Sequence, residues 1–379
     1  MEPKETKKTV RTFALASFLN DLGSDMIYPI WPLFVTSLGA NMAILGFIDG
    51  LGDAIVSISQ AASGYISDKT RKRKVFIWIG YLLGSLSRVG YALSSVWQQI
   101  IPLRILDRAG KMRGAPRDAI MADISTKENR GRNFGFLRTM DNLGAVCGIL
   151  ICILFSGLLG YRNLFLIAAI PSVLSALLIF FLIKEKKPPD TKIYKGLTFS
   201  DLDKNFKLFL CLSSFFALGS FSYSFLLIYA KEFGFQIAFV PVLYLVFTAV
   251  ASISSLPFGK LSDRIGRKKV LMLSYILWGL TAASFIFIHS YLAIILAFVL
   301  YGLHKGAIET VQKAFVSELA PMEYRASSLG GFQMVVGLCA LPASLIAGLL
   351  WDKMGIFVPF YFSLGLTILA TIMLIFVNE

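Results

Sequence analysis

The chain has 379 residues, of which 56% are hydrophobic and 16% charged, and its mean hydropathy is +0.69. A soluble protein of this length needs a far more polar surface, so composition excludes that class. A net charge of +14 would suit nucleic acid only if the basic residues formed a face; here most are confined to short segments between apolar runs.

Apolar stretches of about 20 residues recur along the whole length, each able to cross a hydrocarbon layer of about 30 Å as a helix. Alternating segments of about ten residues, the mark of a membrane β-barrel, are absent. The expected fold is therefore all-α and polytopic, with 12 transmembrane helices in two six-helix bundles. The spans fall near residues 11–38, 43–66, 74–95, 98–124, 132–158, 162–183, 207–230, 236–258, 269–289, 291–318, 327–350 and 355–377. Residues 1–183 form the first bundle, the polar, proline-bearing stretch 184–206 a linker, and 207–379 the second bundle.

Of the 37 Lys and Arg, 25 lie at the N-terminus, in segments 69–74, 127–132, 184–207 and 260–269, and at Arg325. Only three (Arg162, Lys231, Lys353) lie in the alternate loops, and nine lie inside spans. This alternation puts both termini and the linker on the cytoplasmic side of the cell membrane. The first run, beginning near Arg11, has no cleavage-type end and carries Asn20, Asp21 and Asp25, so it is expected to be a retained helix rather than a signal peptide. The four cysteines (Cys147, Cys152, Cys211, Cys339) all fall inside spans, with neither disulfide nor zinc spacing.

Ionisable groups inside a membrane are expensive and mark cavities or partners. Span 1 places Asn20, Asp21, Ser24, Asp25 and Tyr28 on one helical stripe, and span 2 does the same with Asp49, Asp53, Ser57 and Gln60. Span 4 is the most polar. As one regular helix it would put Arg104, Asp107, Arg108, Lys111 and Asp118 on one face, with Arg113 and Arg117 roughly opposite, and Gly110, Gly114 and Pro116 could bend it. Span 5 adds an Arg138/Asp141 pair at i, i+3, and span 10 adds His304, Lys305, Glu309, Gln312 and Lys313. Seven of the nine basic residues in spans lie in the first half, which is where coupling chemistry is expected. Asp25, Asp49 and Asp53 have no basic residue within a turn in sequence and are the expected proton carriers; sodium stays an alternative. Arg104, Arg108, Lys111, Arg138 and Lys305 are candidates for contact with an anionic or polyhydroxy solute.

The loop after span 8 is Gly259-Lys-Leu-Ser-Asp263-Arg264-Ile-Gly266-Arg267-Lys-Lys. A shift of 195 residues finds Gly64-Tyr-Ile-Ser-Asp68-Lys-Thr-Arg71-Lys-Arg73-Lys after span 2 and also pairs Asp123 with Glu318, Glu128 with Glu323, Arg130 with Arg325 and Gly135 with Gly330. The chain is a tandem duplication, as many secondary transporters are. Two copies of Gly-xxx-Asp-Arg-x-Gly-Arg-Lys, the first with Arg71 in place of glycine, in a twelve-span chain resemble the major facilitator superfamily. The resemblance implies alternating access, with substrate held between the two halves near the membrane midplane. It also implies that Gly64, Asp68, Arg71, Gly259, Asp263, Arg264, Gly266 and Arg267 latch the halves in the outward-facing state. Arg104 matches the family's span-4 arginine, although Arg108 replaces the glycine four residues on. Drug antiporters of the family usually carry Gly-x-x-x-Gly-Pro-x-x-Gly-Gly in span 5, whereas here Gly144-Ala-Val-Cys-Gly148 is followed by Ile149.

The functional expectation is secondary transport of a small polar or anionic solute, proton-coupled, with export slightly favoured. Multidrug antiport and facilitated uniport are alternatives. No phosphate-binding Gly-x-x-x-x-Gly-Lys-Ser/Thr loop is present, and the two histidines, His289 and His304, lack metal-ligand spacing. Neither an enzyme, a cofactor, a metal nor a nucleic-acid partner is expected. The expected partners are the solute, protons and the lipid bilayer, and the default assembly is a monomer.

Overall fold

The structure, a computed structural model, describes residues 3–126, 129–184, 203–320 and 325–378, and every regular element in them is helical. In chain order these are α1 (Pro3–Asp25), α2 (Trp31–Ser37), α3 (Met42–Thr70), α4 (Lys74–Leu93), α5 (Ile100–Ala109), α6 (Gly114–Asp123) and α7 (Arg130–Leu182). The second half supplies α8 (Lys204–Gly219), α9 (Tyr223–Phe233), α10 (Val240–Ile265), α11 (Arg267–Phe287), α12 (Tyr291–Leu319), α13 (Arg325–Met354) and α14 (Val358–Ile375). Among the described residues, nine stretches are long and apolar enough to cross a membrane. One is the 53-residue α7, broken at Gly160 (φ 69°), which carries the expected spans 5 and 6. The expected linker lies almost wholly outside the described residues, as does the Glu128/Glu323 pair.

Three spans are interrupted for readable reasons. Pro29 has no N–H, and its ring clashes with the carbonyl four residues back, so α1 stops at Asp25 and a 3-10 turn, Tyr28–Ile30, leads into α2. Span 7 breaks between Gly219 and Tyr223, where Ser222 caps α9 by accepting from Ser224 N. The 195-residue shift superposes these two breaks, so the interruption is part of the duplicated unit. Span 4 is divided by a 3-10 segment, Gly110–Arg113, while its counterpart α12 is continuous.

The chain forms two units. One comprises Met1–Gly39 and Ile55–Ile193, the other Ala40–Ala54 and Tyr194–Glu379. Within the first, α1 packs along α7, and α4 packs on α7 and α5. Its core includes Phe13, Ala16, Ile77, Tyr81, Met121, Leu137 and Ile179. Gly144 and Gly148 let the α7 backbone press against α1, since a Cβ at either would overlap the carbonyl of Phe18 or Leu22.

The second unit is rich in aromatic packing: Phe216 stacks on Tyr275 at 3.9 Å, and Phe221, Phe225, Trp278, Phe285 and Phe360 form a linked set of ring contacts. The first half of α3 belongs to this unit. Its N-terminal amides of Met42 and Ala43 donate to the Asp352 carboxylate at 3.2 and 2.8 Å, which caps the positive end of the helix. Gly46 and Gly50 lie against the backbone of Ser344, Ala340 and Leu341, where no side chain would fit.

Candidate functional site

In the first unit charged residues of spans 1, 3, 4 and 5 gather into two clusters, the first buried and the second partly exposed. The first surrounds a small cavity lined by Ser24, Ile27, Tyr28, Trp31, Arg88, Tyr91, Arg104 and Asp107. Arg104, 2% exposed, lies over the Trp31 ring at 4.2 Å, and Arg108 lies over Tyr28 at 5.1 Å and donates to its hydroxyl at 3.2 Å. Asp107 sits between them, 3.8 Å from Arg104 and 3.7 Å from Arg108. Arg88 donates to the Ala168 carbonyl at 2.9 Å and to the Ser172 hydroxyl, tying α4 to α7. Lys111, in the 3-10 segment, adds to the positive field on Asp107, and Asp25 ends α1 just before the turn that carries Tyr28.

The second cluster lies where α1, α6 and α7 meet. Arg117, 8% exposed, contacts Asp118 at 3.0 Å and Asp141 at 3.8 Å and donates to the Ser17 hydroxyl at 2.7 Å. Arg138 donates to Asp141 at 3.2 Å and approaches Asp118 at 3.7 Å. Asp21, whose carboxylate accepts from Asn20 at 2.8 Å, lies within Coulombic reach of both Arg117 and Asp141. The cluster therefore holds three carboxylates against two guanidinium groups. Asp118 stands here with Arg117 and not with Arg104, because the tighter winding of residues 110–113 breaks the regular helical register assumed for span 4. Arg113 turns to the Tyr81 ring at 4.9 Å.

The duplicated loops hold two matching ion triads, each inside its own unit. Arg73 joins Asp68 at 2.7 Å to Asp123 at 2.5 Å, and Arg267 joins Asp263 at 3.7 Å to Glu318 at 2.8 Å. Burial opposes the charge on Arg73, but its two carboxylate partners outweigh that and raise its pKa. The carboxylates are 195 residues apart in the two copies, whereas the arginines are 194 apart. Between the carboxylate and the arginine of each loop, Arg71 takes φ 57° where the other copy has Gly266 at φ 98°. Gly64 and Gly259 sit on the inward sides of their helices near Ala115 and Thr310, and Arg264 is exposed.

In the second unit Lys305 pairs with Glu309 at 3.0 Å on α12, and Asp53 lies within Coulombic reach of Lys305. Gln312 follows on the same helix, half-buried. Asp49, 2% exposed, accepts from the Ser222 and Ser224 hydroxyls at 2.7 and 2.5 Å, directly at the break in span 7. Among the described residues no group of His, Cys, Asp and Glu could hold a metal ion.

Spacing alone did not single out Arg73, Arg88, Tyr91, Arg117, Asp123, Ser222, Ser224, Glu318 or Asp352. The 195-residue shift already pairs Asp123 with Glu318 at the ends of spans 4 and 10, a signal for the triads. Nothing comparable in the sequence marks Arg88 or Tyr91.

A model of the major facilitator superfamily matches residues 13–212 and again 208–379. The chain belongs to the major facilitator superfamily. An uncharacterised MFS-type transporter of Methanocaldococcus jannaschii is 38% identical, covering 99% of this chain and 96% of that one. The multi-drug resistance efflux pump PmrA of Streptococcus pneumoniae is 27% identical over 83% of this chain and 82% of its own. Among solved structures, the nucleoside transporter NupG matches with a TM-score of 0.74 and 16% identity, covering 97% of each chain. The chain is thus a multi-pass membrane protein of a transporter superfamily whose fold it shares.

Proposed function

We propose that this protein is a proton-coupled secondary transporter that moves a small polar or anionic solute across the cell membrane by alternating access. The observation that carries the reading is the cluster of Asp21, Asp118 and Asp141 around Arg117 and Arg138, in which Arg117 and Asp141 are buried and Arg138 is exposed. A surplus carboxylate away from water is stabilised by taking up a proton, and a change in the position of either arginine shifts that balance. Asp25, Asp49 and Asp53 are further carriers in the same scheme. Arg104, Arg108, Lys111, Arg138 and Lys305 supply contacts for an anionic or polyhydroxy solute. Both termini lie in the cytoplasm, by the distribution of basic loops, and the protein acts as a monomer.

Export is the favoured direction, since PmrA is named a multi-drug resistance efflux pump and MdtG of Proteus mirabilis a multidrug resistance protein. Those names also favour a second reading, antiport of lipophilic compounds. Against it stands the sequence after Gly144 and Gly148, where Ile149 takes the place of the proline usual in drug antiporters of the family. Purified full-length protein in liposomes should accumulate one class from a labelled panel of sugars, organic acids, phosphorylated metabolites and lipophilic cations when an inward-acid pH gradient is imposed. Accumulation of the lipophilic cations alone would replace the first reading by the second.

A further inference from the structure

The outer surface of the first unit turns from apolar to basic at one level on two neighbouring helices. On α1, Leu15 is 43% exposed, and Lys8 and Arg11, one to two turns earlier, are exposed on the same stripe. On α7, Phe181 and Leu182 are 72% and 44% exposed, and the exposed Lys184 follows directly after the buried Ile183.

Two contacts set the register of these helices. The Ser175 hydroxyl donates to the Ala16 carbonyl at 2.7 Å, and the α1 backbone at Gly23 presses on the Ala168 carbonyl. As α1 advances from Ala16 to Gly23, α7 therefore retreats from Ser175 to Ala168, residue for residue, so the two run antiparallel. Continued the other way, that register sets Lys8 level with Ile183 and Lys184. Val10, Phe13, Ile179 and Ile183 are buried in one core on the inner side of the seam, which leaves Leu15, Leu182 and the basic groups on its outer side. At 1.5 Å per residue, Arg11 and Lys8 stand about 6 and 10 Å beyond Leu15, so their long side chains end in the headgroup layer. Positive charge prevails at this end: residues 1–11 carry four basic and two acidic side chains, and residues 184–187 three and one.

We propose that this seam binds one anionic phospholipid, its phosphate held by Lys8, Arg11 and Lys184 and an acyl chain laid along Leu15 and Leu182. Ammonium and guanidinium groups pair well with phosphate oxygens, and basic residues bordering a span attract acidic headgroups. The exposed leucines just inside them shelter a hydrocarbon chain, which a free phosphate lacks. A zwitterionic headgroup brings a cation of its own against the same basic groups. The bound lipid ties the start of α1 to the end of α7 at the membrane surface. Its residues all belong to the first unit, and the inference stands apart from the proposed solute and proton coupling.

The test is thermal unfolding of the purified full chain in a neutral detergent, with phosphatidylglycerol or phosphatidylcholine of the same acyl chains added. The unfolding midpoint should rise saturably with phosphatidylglycerol and far less with phosphatidylcholine. The triple variant Lys8→Gln, Arg11→Gln and Lys184→Gln alters exposed side chains, so its lipid-free midpoint should stay close to that of the parent. Its half-saturating phosphatidylglycerol concentration should rise at least about tenfold. Lys184→Gln alone should weaken the response several-fold, which keeps the test open should the triple variant fold poorly. A matched triple, Lys204→Gln, Lys260→Gln and Lys269→Gln, removes exposed charges of the second unit and should respond as the parent does. Equal weakening in the two triples would overturn the proposal, since the attraction would then be a diffuse field rather than a site. So would equal stabilisation by the two lipids, no rise with either, or an equal rise with glycerol phosphate alone.

Discussion

Arg71 takes φ 57°, a left-handed value at which a Cβ costs about 1 kcal/mol or more, whereas its counterpart Gly266 takes φ 98° and, having no Cβ, bears no such cost. Arg71→Gly should therefore raise the unfolding midpoint of the purified protein, and a clear fall would show that contacts of the arginine outweigh its backbone strain. Arg117 presents the opposite case. Its guanidinium is buried against Asp118, Asp141 and the Ser17 hydroxyl, so Arg117→Gln leaves acidic groups uncompensated and should cost about 3–5 kcal/mol. The loss would be read as reduced yield of folded protein by size-exclusion chromatography. Adding Asp141→Asn to Arg117→Gln should restore part of that yield; no recovery would mean the pair does not couple.

Helix identity was legible in the sequence from apolar length alone, because the bilayer demands about 20 apolar residues per span. The chemistry of span 4 was not. One regular helical register assigns Asp118 to the face of Arg104, yet three closely spaced small or rigid residues, Gly110, Gly114 and Pro116, accompany a tighter turn after which Asp118 pairs with Arg117, while Lys111 keeps its place beside Asp107. The pairing of Arg138 with Asp141 was legible because no break intervenes between them. Interhelical contacts such as Asp49 with Ser222 leave no trace in local spacing, since they join residues 173 apart. The α7 backbone packs directly on α1, where a Cβ at Gly148 would overlap the Leu22 carbonyl. Gly148→Leu should therefore abolish recovery of folded protein, whereas Gly157→Leu, with open space at its Cβ, should be tolerated. Equal recovery of the two variants would contradict the packing described.

For the whole molecule, the duplication was visible as a constant shift and reappears as paired helix breaks and paired ion triads. Residues 40–54 belong by sequence to the first half, but Asp49, Gly46 and the amides of Met42 and Ala43 are bound by second-half residues. Such contacts are tertiary and carry no compositional signal. Asp68→Asn and Asp263→Asn each weaken one triad at a carboxylate that is about half-exposed or more, so each should cost little stability. Both variants should insert normally yet transport several-fold more slowly if the triads govern exchange between states. A parallel loss of inserted protein and activity would assign them a folding role alone.

Proton coupling through the cluster around Arg117 is the central claim, and it is tested most directly by proton flux. Full-length protein and its Asp141→Asn variant would be placed in liposomes enclosing a pH-sensitive dye and challenged with the solute class that accumulates in the parent. The account predicts a solute-triggered pH change in the parent and its loss in Asp141→Asn, with exchange of labelled solute across the membrane retained. Solute movement without any pH change in the parent, or an undiminished pH change in the variant, would contradict it.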